Sequence, residues 1–233
     1  MSIRTTLPCY VAVPVRNEEE RLPHLVASLT AQTERLSGAT LLLNNCTDTS
    51  ESVAEDLAQR YPDLHLHVAS VTLSPEHANV GRARRMAMDL AFERLGGRGL
   101  ILTTDADTVL APDFAASIRD EITRGADAVG GRVQLHPRDR QALSRGVRRL
   151  FLLDIGYRRA VELLADCIDP EPSDPYPRHH QHFGAAMGVT AEWYARVGGL
   201  PPHPNNEDVA FYQAISEGRR LAGIEHWLPL FED

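Results

Sequence analysis

Four times in its first 135 residues the chain passes from a short apolar run to a segment of helical period, and this alternation restricts the fold more than any other feature. Cys9-Tyr10-Val11-Ala12-Val13-Pro14-Val15 reads as a strand closed by proline, and Leu22, Leu25, Val26 and Leu29 follow at helical spacing. Glu18-Glu19-Glu20 suits the positive end of that helix. Ala39 to Leu43 is a second strand, with a helix through Val53, Leu57 and Tyr61, and Asp48 with Glu51 has capping-box spacing at its start. Leu64 to Val71 is a third strand, placing His65 and His67 on its more polar face, ahead of a helix carrying Met86, Leu90 and Leu95. Leu100 to Thr103 is a doubly buried fourth strand, Pro112-Asp113 opens a helix through Ile118 and Ile122, and Asp127 to Leu135 is a fifth strand. Such units predict an α/β domain, Rossmann-like, with a doubly wound and mainly parallel sheet and helices on both faces. A chain of 233 residues with 43% hydrophobic content can bury one sizeable core, and we read residues 1–233 as a single domain.

In such sheets the residues just past the carboxyl ends of the strands converge on one edge, where ligands bind. Glu18, Asn45, Asp48, Asp105 and Asp107 all fall there. Asp105 and Asp107 stand one residue apart where the fourth strand becomes a loop. Two carboxylates held about 4 Å apart repel by about 4 kcal/mol at an effective dielectric of 20. A divalent cation turns that repulsion into attraction, and hard ions such as Mg²⁺ or Mn²⁺ prefer oxygen ligands. No G-x-G-x-x-G follows the first strand, which removes the main support for dinucleotide binding.

The chain contains no lysine, and all 24 of its positive side chains are arginine. That excludes a Walker-type phosphate lysine, a pyridoxal Schiff base and any lysine nucleophile, so an anion must be held by arginine, backbone N–H groups or a metal. The net charge of −8 argues against a nucleic-acid-binding surface. No apolar run reaches the roughly 20 residues of a membrane span. Three scattered cysteines (Cys9, Cys46, Cys167) suggest a reducing compartment, and the N-terminus lacks a signal-like apolar stretch, so a cytoplasmic location is expected.

Beyond residue 135, Gln141 to Leu164 reads as one long helix, with an interruption expected at Gly156. Leu143, Val147, Leu150 and Phe151 share one side, and Arg145, Arg148 and Arg149 lie opposite, either as a solvated basic face or for peripheral contact with anionic lipid or a phosphorylated acceptor. Asp166 to His182 reads as a proline-rich loop whose His179-His180-Gln181-His182 lacks metal-ligand spacing. Phe183 to Gly188 is small and apolar, a helix starts at Thr190, and Val197-Gly198-Gly199-Leu200 ends it in a turn. Glu207-Asp208 heads a last helix, and adjacent positions about 100° apart let only one carboxylate point into a given site.

Taken in order, these segments resemble a family 2 glycosyltransferase of the GT-A, nucleotide-diphospho-sugar transferase type, from about Val11 to Gly218. Val13-Pro14-Val15-Arg16-Asn17-Glu18 resembles the opening strand and turn, which implies that Pro14 and Glu18 lie near the nucleoside. Leu43-Asn44-Asn45-Cys46-Thr47-Asp48 resembles the second turn, but Leu43 and Asn44 replace the family's aspartate pair. Gly81-Arg82-Ala83-Arg84 resembles a helix start whose arginine, Arg84, reaches the nucleotide, and Asp105-Ala106-Asp107 resembles the metal-binding Asp-x-Asp motif. Gly198-Gly199 followed by Glu207-Asp208 resembles the acceptor-side segment, which implies Asp208 as general base and Glu207 as an acceptor contact. His226 is a further metal-ligand candidate by the same resemblance.

The resemblance implies a metal-dependent enzyme using Mn²⁺ or Mg²⁺. Its donor is a UDP- or GDP-linked sugar, bound by residues 1–135, and its acceptor an unspecified hydroxyl met by residues 136–233. Inversion is the expected stereochemistry. A retaining transferase of the same fold, a nucleotidyltransferase and a non-catalytic nucleotide-sugar binder are the alternatives. A nucleotidyltransferase calls for a glycine-rich basic loop after the first strand, where Pro14 to Glu20 is acidic and glycine-free.

Overall fold

The computed structural model describes residues 7–131, 133–134, 137–170, 176, 184–216 and 218. Three fully buried strands form the middle of the sheet: β1 (Cys9–Val15), β2 (Gly38–Asn44) and β4 (Leu100–Thr104). β3 (Leu66–Val71) forms one edge, and β5 (Ala128–Gly130) and β6 (Ala186–Thr190) complete a six-stranded sheet in the order β3-β2-β1-β4-β6-β5. β1 pairs in parallel with both β2 and β4, and β2 pairs in parallel with β3. β6 runs antiparallel to both its neighbours.

The period-2 alternation of strand side chains divides the core in two. Val11, Val13, Val15, Leu41, Leu43, Leu100 and Leu102 face α1 (Leu22–Thr30), α2 (Ser50–Arg60) and α4 (Phe114–Thr123). Tyr10, Ala12, Leu42, Ile101, Met187 and Val189 face α3 (Val80–Arg94), α7 (Ala191–Arg196) and α8 (Glu207–Ser216). Helices on both faces of a mainly parallel sheet match the expected doubly wound architecture.

Several local expectations need correction. β6 falls in the small apolar stretch that gave no strand signal, and it enters the sheet between β4 and β5 as its one antiparallel member. The fifth strand keeps only Ala128–Gly130 of the expected Asp127 to Leu135. α1 has no acidic residue in its first turn, because Glu18-Glu19-Glu20 lies in the preceding turn, where Glu18 O accepts from Arg21 and Leu22 N–H. The third strand begins at Leu66, after a single 3-10 turn over Pro62–Leu64 and a left-handed His65 at φ 50°. No capping box forms on α2: Asp48 accepts from Ser50 and Glu19 N–H, and Glu51 accepts from Ser70 Oγ. A short helix α5 (Pro137–Ala142) precedes α6 (Arg145–Ile168), which runs through Gly156 without a break. Ser144 caps α6 by accepting from Val147 N–H. His226 and His179-His180-Gln181-His182 lie outside the described residues.

Candidate active site

A cavity of about 580 Å³ opens at the carboxyl ends of β1, β2 and β4, within the range of small-molecule sites. Pro14, Val15, Arg16 and Glu18 enter it from β1 and its turn, and Asn44 from the end of β2. Val80, Ala83 and Arg84 come from the start of α3, Asp105, Ala106 and Asp107 from the turn after β4, and Gly184, Ala185, Glu207 and Asp208 from the far side. Residues as distant in sequence as Pro14 and Asp208 therefore line one cavity, as the convergence of strand ends predicts.

Arg84 organises that wall. It is 3% exposed and its guanidinium meets four groups at once. Nη2 donates to Asp105 Oδ1 at 2.5 Å, Nε to Glu207 Oε1 at 3.2 Å, and Nη1 to Gly184 O at 2.8 Å and Thr103 Oγ1 at 3.2 Å. Gly184 in turn donates its N–H to Asp208 Oδ2 at 3.1 Å, and Val209 N–H donates to Asp208 Oδ1 at 2.8 Å. One planar, always-charged fork thus links the Asp105 turn to the Glu207-Asp208 helix start. Close approach of α3 to that segment needs Gly81, where a Cβ would stand 1.9 Å from His203 O.

Two residues expected at the site by sequence stand outside the cavity wall. Asn45, at φ 51°, turns to the segment beyond β3, where its Nδ2 donates to Leu73 O at 2.8 Å and its Oδ1 accepts from Leu73 N–H at 3.1 Å. Asp48 supports the Glu19 turn. Partial burial opposes its charge, but the hydrogen bonds from Ser50 and Glu19 outweigh burial and hold it below the usual carboxylate range. Asn44, noted in the sequence only as standing where the family has an aspartate, lines the cavity instead. It is 3% exposed and its Oδ1 has no hydrogen-bond partner. The alternation along β2 could have found it, since Asn44 shares the α3 face with Leu42 while Asn45 continues the face of Leu43.

Among the described residues, five carboxylates line the cavity against two guanidiniums, Arg16 and Arg84. Burial pushes Glu18 above the usual carboxylate range, and repulsion from Asp107, Asp48 and Asp105 adds to it. That surplus of negative charge suits a divalent cation. Asp107 is exposed, and Arg84 engages only Oδ1 of Asp105. Among the described residues no group of three or more His, Cys, Asp or Glu forms a complete set of metal ligands. Two carboxylates whose remaining partners are water and ligand phosphates are ordinary for Mg²⁺.

A family model, glycosyl transferase family 2, matches residues 10–174, most of the chain. The chain belongs to glycosyl transferase family 2. The undecaprenyl-phosphate 4-deoxy-4-formamido-L-arabinose transferase of Salmonella paratyphi A is 30% identical over 120 residues, 52% of this chain and 35% of that protein. The chain thus spans about a third of the length of the curated relatives it matches. In fold it resembles the mannosyltransferase PcManGT of Pyrobaculum calidifontis, solved with GDP-Man and Mn²⁺ (TM-score 0.60, 19% identity, 91% of this chain and 52% of that one). It also resembles the glucosyl-3-phosphoglycerate synthase of Mycobacterium tuberculosis, solved with Mn²⁺, UDP and glucosyl-3-phosphoglycerate (TM-score 0.56, 15% identity, 91% and 66%). The expected GT-A architecture of this family 2 chain is therefore present, antiparallel β6 included.

Proposed function

We propose that this family 2 chain transfers a sugar from a UDP- or GDP-linked donor to an acceptor hydroxyl, with inversion and with help from Mn²⁺ or Mg²⁺. The observation that carries the reading is the Arg84 linkage. It holds a carboxylate suited to a cation, Asp105, and a carboxylate suited to a proton, Asp208, on one wall of one cavity. The ligands of the structural neighbours, GDP-Man, UDP and Mn²⁺, support the donor class and the ion.

When the sugar leaves its diphosphate, negative charge grows on the phosphate oxygens. A divalent ion held by Asp105 and Asp107 would supply Lewis-acid neutralisation of that charge. Pro14, Glu18 and Asn44 frame the end of the cavity that takes the nucleoside, and Asn44 Oδ1 offers an acceptor to a base N–H. Asp208, oriented by the Gly184 and Val209 N–H groups, removes the proton of the attacking hydroxyl. Attack from the face opposite the diphosphate inverts the anomeric centre, with no covalent intermediate. Glu207, 6% exposed and tied to Arg84, fixes the start of α8 behind the base. In this reading residues up to 135 serve the donor and those after it the acceptor, within one domain.

The test is Asp208→Asn, assayed with a panel of nucleoside-diphosphate sugars and Mn²⁺. Donor binding is expected to persist while kcat falls by about 10²–10⁴, the usual scale of general-base loss. Transfer at the original rate would remove Asp208 from the chemistry. An acceptor that is already an ionised phosphate needs no base, and it would show that result together with a flat pH profile.

A further inference from the structure

The cavity leaves one large feature unused. α6 has 24 residues, of which Glu162 alone is buried. Leu150, Leu153, Tyr157, Val161, Leu164 and Ile168 repeat at steps of three and four, which places them on one side of the helix. They are 68, 60, 71, 46, 61 and 74% exposed; Val147 and Phe151, at 49 and 37%, extend the face toward half the circumference at the start of α6, while Leu152 and Leu163, at 60 and 49%, stand on the opposite side. Ile155 and Glu162, the better-covered positions, lie on the other side.

The charge around this face is unlike that of the rest of the chain. Residues 137–159 hold seven arginines and two aspartates, a net +5 within a chain of net −8. Arg145, Arg148 and Arg149, with Leu152 and Leu153, border a groove of about 320 Å³ at the start of α6. No described helix is long and apolar enough to cross a membrane. A helix with a broad apolar face and an arginine-rich margin is built to lie in an interface.

We propose that α6 docks flat on an anionic lipid bilayer. Its leucine face enters the boundary between headgroups and acyl chains, and its arginines meet the lipid phosphates. Two observations favour this occupant over a second copy of the chain. A partner helix covers a single narrow seam, whereas exposed apolar side chains here extend beyond the stripe to Val147 and Phe151 on its flank. Two copies paired along α6, which holds five arginines against Asp154, Glu162 and Asp166, would also bring like net charge together, while anionic headgroups attract arginines at roughly fivefold in affinity each. Val133 and Gly184, which flank α6 in the chain, both line the cavity, so a docked α6 holds the cavity at the lipid surface.

The experiment is flotation of the full chain with vesicles of phosphatidylcholine alone or mixed equally with phosphatidylglycerol, at low and high salt. Binding is expected on the mixed vesicles at low salt, with weak binding on phosphatidylcholine and loss at high salt. Leu153→Glu with Leu164→Glu should abolish it, and Arg148→Gln with Arg149→Gln should lower it about 25-fold, the product of two fivefold losses. All four side chains are exposed, so unchanged thermal melts verify folding. Absence of binding on the mixed vesicles at low salt, or binding that ignores the leucine pair, overturns the proposal. So does a dimer in sedimentation velocity that Leu153→Glu dissolves, since a second copy would then cover the face. None of these readouts involves sugar transfer, so failure here leaves the proposed activity untouched.

Discussion

At the scale of single residues, the site depends on the burial of Arg84. An exposed arginine–carboxylate pair contributes little, but Arg84 and Glu207 have side chains only 3% and 7% exposed. Removing one partner of such a pair leaves an uncompensated buried charge and costs about 3–5 kcal/mol. Arg84→Ala should therefore lower unfolding free energy by that amount in urea titration, and adding Glu207→Gln should recover part of it by removing the orphaned charge. Arg84→Lys should fold better than Arg84→Ala but bind donor poorly, because a single ammonium cannot span Asp105, Gly184 and Glu207. The cysteines give an independent check on burial. Desolvation pushes the Cys9 thiol up to about 12, leaving about one thiolate in ten thousand at pH 8, and burial also raises Cys46. Cys167 is exposed. Mass mapping after iodoacetamide at pH 8 should find Cys167 alkylated first and Cys9 only on unfolding. Taking the label to pH 10 raises the Cys9 thiolate about a hundredfold, yet to only about one per cent.

At the scale of elements, strands were legible where alternation and β-branched or leucine-rich runs announced them, as in β1, β2 and β4. The Asp105 turn was legible for the same reason, since a buried strand must end in something polar. β6 was not, because its residues were chosen for smallness. A Cβ on Gly188 would stand 2.4 Å from Ile118 Cγ2 and 2.9 Å from Leu102 Cδ2, so β6 fits between β4 and α4 only without a side chain there. Glycine and alanine carry little strand signal, and the tertiary slot that selects them is invisible in the chain. Arg84's partners were hidden likewise: Glu207 is 123 positions away, and no local pattern joins the two. Gly188→Ala should cost about 1–3 kcal/mol by overpacking, read as a shift in denaturation midpoint. Ile118→Val in the same chain should return part of that loss, because it removes the δ-methyl contact and frees the side chain to yield. Gly188→Ala without destabilisation would mean that β6 does not pack against α4 as described.

At the scale of the whole molecule, the proposed function asks an acidic chain to hold an anionic ligand without any lysine. A nucleoside diphosphate entering a cavity with five carboxylates and two guanidiniums meets repulsion before attraction. One uncompensated carboxylate about 7 Å from a diphosphate costs about 2 kcal/mol at an effective dielectric of 20, roughly 30-fold in affinity. Arg84 contributes little relief, since Asp105 and Glu207 already share its charge. In the proposed reaction a cation brought from solution meets the deficit. UDP and GDP should therefore produce almost no thermal shift in EDTA and a clear one with Mn²⁺, with affinity at least tenfold higher when the ion is present. In Asp105→Ala with Asp107→Ala the ion should lose its effect, because its ligands are gone. That pair also removes repulsion, so binding in EDTA should rise above that of the unmodified chain, by up to about 30-fold for the Asp107 carboxylate alone. The two changes have opposite sign, which separates this account from simple damage to the site: a misfolded cavity would lose binding under both conditions. A shift in EDTA equal to that with Mn²⁺ in the unmodified chain would mean that its own arginines suffice, and the charge argument for a metal-dependent transferase would fail.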